Sequence, residues 1–316
     1  MKPKPLELAS RFAFPALIAG AIAISFSPIF ARISELGPTA TAFHRVLLAT
    51  PMLWAFLAYT EGRAKSPSSS AKPVPAPRAL NRREFWLLVF AGVAFAGDLG
   101  FWHWSIKLTS VANSTLLANL TPIFFTLTAW LIFRERIRSL FLIALLLALG
   151  GVTVMVRASF AIDSAHVWGD ALGIITAVFY AAYLVSIKLL RESLSTLRIM
   201  AWSTTITAIC LFPVTIISGN DLIAATWAGW AVLIGIAWFS HIGGQGLIAF
   251  ALAHLPAAFS SIALLVQPIA AALLAWVILG EALETLQALG GVVVIFAIAL
   301  ARRAASEPAT SDGTGR

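Results

Sequence analysis

The chain has 316 residues, of which 59% are hydrophobic and only 11% charged. A water-soluble domain carries roughly 25% charged residues, so water alone is excluded as the solvent. The net charge of +8 does not point to nucleic acid, because the basic residues flank apolar runs, and a single cysteine, Cys210, excludes a disulfide framework or zinc cluster. Within its apolar run that thiol reads as buried and structural.

A helix needs about 20 apolar residues to cross a hydrocarbon core. In chain order the candidate spans are 13–31, 39–60, 84–106, 110–133, 139–156, 167–187, 199–218, 227–252, 257–279 and 285–301, ten in all. Their length and lack of strict alternation predict helices rather than barrel strands. The first run is too long for a signal-peptide core, and nine more follow it, so it is read as a retained helix. Residues 61–83, rich in Pro, Ser and basic groups, predict a flexible linker facing anionic headgroups. The polar tail 304–316 is expected to be disordered.

With the N-terminus inside, eighteen lysines and arginines fall on the inner side. Three fall outside (Arg32, Lys107 and Arg157), and Arg45 lies within a span. That asymmetry predicts both termini in the cytoplasm and an even number of spans.

Displaced by 146 positions, the second half matches the first. Gly97 falls on Gly243, Gly100 on Gly246, Ala112 on Ala258, Ser114 on Ser260, Pro122 on Pro268, Trp130 on Trp276 and Glu135 on Glu281. The block LTPIFFTLTAWLIFRE thus reappears as VQPIAAALLAWVILGE. Nearer the start of each half the offset is about 156–158, the difference being absorbed by the 61–83 linker. Units of five crossings, 13–157 and 167–303, must begin on opposite membrane faces. Such inverted repeats are a common plan of secondary transporters, with the binding site near the midplane where the halves meet.

These two blocks, FHRVLLATP with Arg45, and the pairs Gly150–Gly151 and Gly290–Gly291 resemble the drug/metabolite transporter superfamily, specifically its EamA type, over about 13–303. The resemblance implies an all-α membrane protein, ten transmembrane helices forming two inverted five-helix repeats around a central cavity. It also implies export of amino acids or other metabolites, usually across the bacterial cytoplasmic (inner) membrane. Asp98 and the Trp102–His103–Trp104 cluster depart from the commoner pattern.

Asp98 and Arg45 are the acid and the base placed well inside spans. A charge there costs ~2.5–3.5 kcal/mol on insertion scales, so such residues are functional candidates by default. At ~1.5 Å per residue both fall in the outer half and are expected to approach one another or share a polar network. For Arg45 a structural role stands beside a binding one. Trp102, one turn beyond Asp98, suits an amine-bearing, partly apolar cargo, or serves as an interfacial anchor, the reading preferred for Trp104.

Thr115, Asn119, Pro122 and Thr126 form a polar stripe, which must face protein or water. Pro122 and its repeat partner Pro268 each free a carbonyl in mid-membrane, as hinges or as packing kinks. Gln267 shares a face with Ser260, Gln245 with His241, and Thr176, Tyr180 and Tyr183 make a further stripe. His44, His103 and His241 belong to a proton network or are hydrogen-bonded packing residues. Glu135 and Glu281 end their helices at short turns and read as structural, pairing with nearby bases.

No Walker A, HExxH or GxSxG motif occurs, so no ATPase, enzyme activity, cofactor, metal or nucleic-acid partner is expected. The expected partners are the bilayer and a small-molecule substrate such as an amino acid. The binding set is Asp98, Trp102, Thr115, Asn119, Tyr180, Tyr183, Gln245 and Gln267, with an ammonium near Asp98 or the aromatic faces and a carboxylate near Asn119, Gln245 or Gln267. Cationic drugs or nucleobase-type metabolites are the alternative cargo. A membrane enzyme on lipid-linked substrates and a passive channel are the alternative classes.

Overall fold

The computed structural model describes residues 5–64, 79–121, 123–124, 127–128, 131, 139–190, 193–219, 221–252, 266–281 and 285–306. Among them every regular element is helical. Six helices are long and apolar enough to cross a membrane: Phe12–Ile33, Pro38–Gly62, Arg82–Leu108, Ser164–Ile187, Thr196–Ile217 and Trp227–Ile248. Three shorter apolar stretches, Leu142–Gly151, Val266–Leu279 and Ala288–Ala297, fall on further expected spans. The remaining expected span, 110–133, opens with a helix at Val111–Ala118 and then runs into residues outside the described set, Pro122 and Thr126 among them. The chain is an all-α membrane protein.

The first spans are interrupted where proline removes an N–H and crowds the preceding turn. Helix α1 (Pro5–Ser25) gives way at Phe26 to α2 (Ser27–Ile33), which carries Pro28 in its first turn. Helix α3 (Pro38–Leu47) breaks at Leu48–Ala49, just before Pro51, and resumes as α4 (Thr50–Ala64). At that break the Leu48 carbonyl accepts the indole N–H of Trp238 at 3.0 Å, so a backbone group exposed by the kink is satisfied within the protein.

Helix α5 (Arg82–Leu108) runs unbroken for 27 residues. It starts with a capping box, in which the Glu84 amide donates to Asn81 and the Asn81 amide to Glu84. Next come α6 (Val111–Ala118), α7 (Ser139–Ile162), α8 (Ser164–Leu190) and α9 (Thr196–Ile217). The eighth expected span is α10 (Trp227–Ile234), a ten-residue π-helical stretch α11 (Gly235–Gly244), and α12 (Gln245–Leu252). Likewise α13 (Val266–Leu274) passes into a π turn, α14 (Ala275–Leu279), and α15 (Thr285–Ser306) ends the described chain. The last helix therefore runs three residues into the expected tail.

Small residues set the packing between helices, as they do where lipid supplies no hydrophobic drive. On α1, a Cβ at Gly20 would stand 2.8 Å from the Gly244 carbonyl, and the Ser240 hydroxyl donates to Ala23 at 2.8 Å. On α5, the missing side chain of Gly97 leaves room for the Phe179 ring of α8. Helix α5, from the first half of the sequence, is thereby held against α8, and through Gly92, whose Cβ would meet Ile206, against α9, both from the second half.

Candidate functional site

Arg45 on α3 and Asp98 on α5 are 3% and 8% exposed. Each acts on the other electrostatically, but their charged atoms do not come within the 4.0 Å of a direct ion pair. The two groups act on each other through space, without a closed salt bridge. The Arg45 guanidinium carbon lies 5.5 Å from the centroid of the Trp102 ring, and its buried Nε has no hydrogen-bond partner. Trp102 reaches this position because it follows Asp98 by one turn of α5 and shares its face. Trp104, on another face, is 41% exposed and donates its indole N–H to Thr39 at 3.1 Å, as an anchor at the helix end would.

One turn inward of Asp98, four rings stand nearly parallel. Tyr180 and Tyr183 of α8 stack at 6.0 Å, Tyr183 on Phe95 of α5 at 4.6 Å, and Phe95 on His241 of α11 at 5.7 Å. Tyr180 acts electrostatically on Arg45, and Tyr183 on Asp98, while Tyr183 also hydrogen-bonds Ser203. His241 Nε2 meets the Thr204 hydroxyl at 3.3 Å and its buried Nδ1 is unpartnered. Sequence reasoning missed Phe95, Ser203 and Thr204, since one phenylalanine in an apolar helix and hydroxyls that can bond their own turn stand out from nothing. A signal for Phe95 was present. It lies 146 residues before His241, the offset at which the halves match.

The other candidate histidines each hydrogen-bond the preceding turn of their own helix. His103 donates Nδ1–H to the Leu99 carbonyl at 2.7 Å and His44 donates to Ala40 at 2.8 Å; the His103 Nε2 remains buried and unpartnered. Thr115 is buried with an unpartnered hydroxyl, and the Asn119 amide is spent on the Thr115 carbonyl of its own helix at 2.8 Å. Gln245 and Gln267 are half-buried, and Pro268 is buried in α13. Among the described residues, no hydrogen bond, ion pair or ring contact joins Thr115, Asn119, Gln245 or Gln267 to the Arg45–Asp98 cluster. The structure thus links Arg45, Asp98, Trp102, Tyr180, Tyr183 and His241, and no hydrogen bond, ion pair or ring contact among the described residues ties the amides to them. Pro122, the other proposed hinge, lies outside the described residues.

At the helix ends that the basic-residue count assigns to the exterior, polar contacts join the two parts of the sequence. Arg32 pairs with Glu281 at 3.0 Å and donates to the Thr109 carbonyl. Glu281 also accepts the Val111 amide at 2.9 Å, and Lys107 donates to the Arg32 carbonyl at 3.0 Å. Asp170, fully buried, accepts from the Thr109 hydroxyl at 2.7 Å and from the Asn113 amide. Glu35 accepts from the Ala225 and Thr226 amides and from the Thr226 hydroxyl. The Thr226 hydroxyl, ahead of those amides, holds the exposed Glu35 carboxyl below its ordinary value. Glu281 pairs with a base as its place at the turn suggested; Glu135 lies outside the described residues.

Interrupted and π-helical membrane spans around a buried acid, base and aromatic stack match the plan of a multi-pass transporter of small molecules. The chain belongs to the EamA-like transporter family, whose model matches residues 11–157 and again 167–303, within the drug/metabolite transporter superfamily. It is 27% identical over 227 residues to the pseudopaline exporter CntI of Pseudomonas aeruginosa, covering 71% of this chain and 78% of that one. It is 26% identical to an uncharacterized transporter of Archaeoglobus fulgidus, covering 87% and 91%. With the uncharacterized inner membrane transporter YhbE of Escherichia coli it shares 25% identity, covering 80% and 75%. A crystal structure of a protein 16% identical superposes with a TM-score of 0.59 over 93% of this chain and 96% of that chain, a likeness of fold alone.

Proposed function

We propose that this transporter exports amino acids, aromatic and hydrophobic ones included, across the cytoplasmic (inner) membrane by alternating access. The observation that carries the reading is a buried acid and base, held apart, with a tryptophan ring beside the base and a four-ring stack that starts one helical turn from the acid. Charge at the centre and π surface around it complement a small amphiphile. Two halves inserted in opposite orientations around this centre fit the double family match. Residues related by a two-fold meet only on its axis. The stacking of Phe95 on His241, one repeat offset away, therefore supports an axis running through the ring stack, at mid-membrane. Asp98 sits one turn outside that plane. Both termini are cytoplasmic on this reading, and the Arg32–Glu281 and Glu35–Thr226 contacts close the outer face.

Uptake of labelled amino acids, nucleobases, polyamines and cationic drugs into proteoliposomes tests the substrate class. Counterflow with and without a pH gradient separates a proton carried at Asp98 from simple equilibration. Unchanged flux in both Asp98→Asn and Trp102→Ala would remove these two residues from the site. Saturable uptake of nucleobases or cationic drugs, without uptake of amino acids, would replace the cargo assignment.

A further inference from the structure

We propose that Arg45 is the anion-recognising residue of the central site, so that the transporter selects zwitterions by holding a carboxylate on Arg45 and an ammonium on Asp98. This inference rests on the amino-acid reading above and deepens it.

A structural ion pair offsets the loss of water around its charges only when the two groups close on each other. Arg45 and Asp98 are almost fully buried, feel one another, and do not close. The guanidinium keeps an unused donor at Nε inside the protein. A guanidinium presents its N–H groups as a planar fork that matches a carboxylate. The Trp102 ring beside it restrains that plane through a cation–π contact. An α-amino acid carries its carboxylate and ammonium on adjacent bonds of one carbon, and would bridge the acid and the base that the protein holds apart. A cargo with an amine alone would bring a second cation against Arg45, and one with a carboxylate alone would bring a second anion against Asp98. The side chain of the cargo would then meet the Phe95–Tyr183 stack one turn inward. The amides of Asn119, Gln245 and Gln267, first expected to take the carboxylate, make no hydrogen bond to this centre among the described residues.

The test uses the full-length chain in proteoliposomes and three labelled probes that differ in one group each: phenylalanine, 2-phenylethylamine, which lacks the carboxylate, and 3-phenylpropionate, which lacks the amine. Wild-type protein is expected to prefer phenylalanine over either relative by at least about tenfold, the scale of one charge-assisted hydrogen-bonded contact. In Arg45→Gln the preference over 2-phenylethylamine collapses to within about twofold, while Arg45→Lys, which keeps the charge without the fork, falls between. In Asp98→Asn the preference over 3-phenylpropionate collapses instead. Equal loss of all three probes in Arg45→Gln, or no loss of phenylalanine uptake, overturns the anion assignment while leaving an amino-acid exporter in place. Should Arg45→Gln fail to fold, the wild-type ratio decides: equal uptake of phenylalanine and 2-phenylethylamine overturns the proposal. Uptake of none of the three by wild-type protein overturns the cargo reading itself.

Discussion

Replacing Glu281 by glutamine isolates the charge of the outer contact. The Arg32–Glu281 pair spans 3.0 Å with both side chains 25% exposed, so solvent screens part of it. Surface pairs contribute 0.2–1 kcal/mol, and hydrogen bonds to charged groups roughly 1.5–3 kcal/mol. For a partly shielded pair whose neutral replacement still offers an oxygen to the Val111 amide, a loss of about 1 kcal/mol follows. That is roughly a fivefold shift in the ratio of closed to open outer face. The shift can be read as thiol reactivity. In a Cys210→Ala background, Thr115→Cys places the single thiol at a buried position on α6, the helix whose first amide Glu281 holds. A membrane-impermeant maleimide added to the outer side should label it about five times faster when Glu281→Gln is introduced. No change in that rate, or faster labelling from the inner side alone, would refute the assignment of this pair as an outer closure.

Glu35 gives a pH dependence of known sign. Its carboxyl is held below the ordinary value by the Thr226 hydroxyl and neighbouring amides, so its stabilisation is full above the unfolded carboxylate value of roughly 4.3. It is lost as pH falls through the still lower folded value. The gap in melting temperature between wild type and Glu35→Gln should therefore stay constant from pH 8 to about 5 and close in more acidic buffer. Gly20→Ala should lower the melting temperature, at a cost of about 1–3 kcal/mol for overpacking, because its Cβ would meet the Gly244 carbonyl at 2.8 Å. Gly246→Ala, where nothing lies within 4 Å of the added Cβ, should change it little. Phe95→Ala removes the ring between Tyr183 and His241 and should cost about 3 kcal/mol or more, seen as a lower melting temperature and reduced phenylalanine flux.

Much of the fold was legible because the bilayer imposes its demands locally. Each span must be long, apolar and helical on its own, and the Lys/Arg bias is a property of the loops. The sites of the breaks were partly legible: Pro28 and Pro51 stand in the first two spans, whereas nothing in GIAWFSHIGG announces ten residues of π-helix. Asp98 and Arg45 stood out by cost, since a charge in hydrocarbon needs a reason, and Trp102 by following Asp98 at one helical turn. Gln245, Gln267 and Asn119 were picked because polar groups also avoid lipid, and among the described residues no hydrogen bond joins them to the charged centre. Polarity says that a side chain must avoid lipid, and leaves open which neighbour receives it.

By itself, then, the sequence determined the solvent, the helical class, the repeat and the candidates that are expensive to bury, because those follow from hydropathy and spacing along one chain. Only the tertiary structure decided that Arg45 and Asp98 are both buried and act on each other without closing an ion pair. It also placed Phe95 on His241, and Arg32 of the first span against Glu281 of the ninth expected span's end. These pairings join residues 53, 146 and 249 positions apart. Their distances depend on how kinked helices cross, a geometry set by glycine contacts and proline breaks acting together across the molecule.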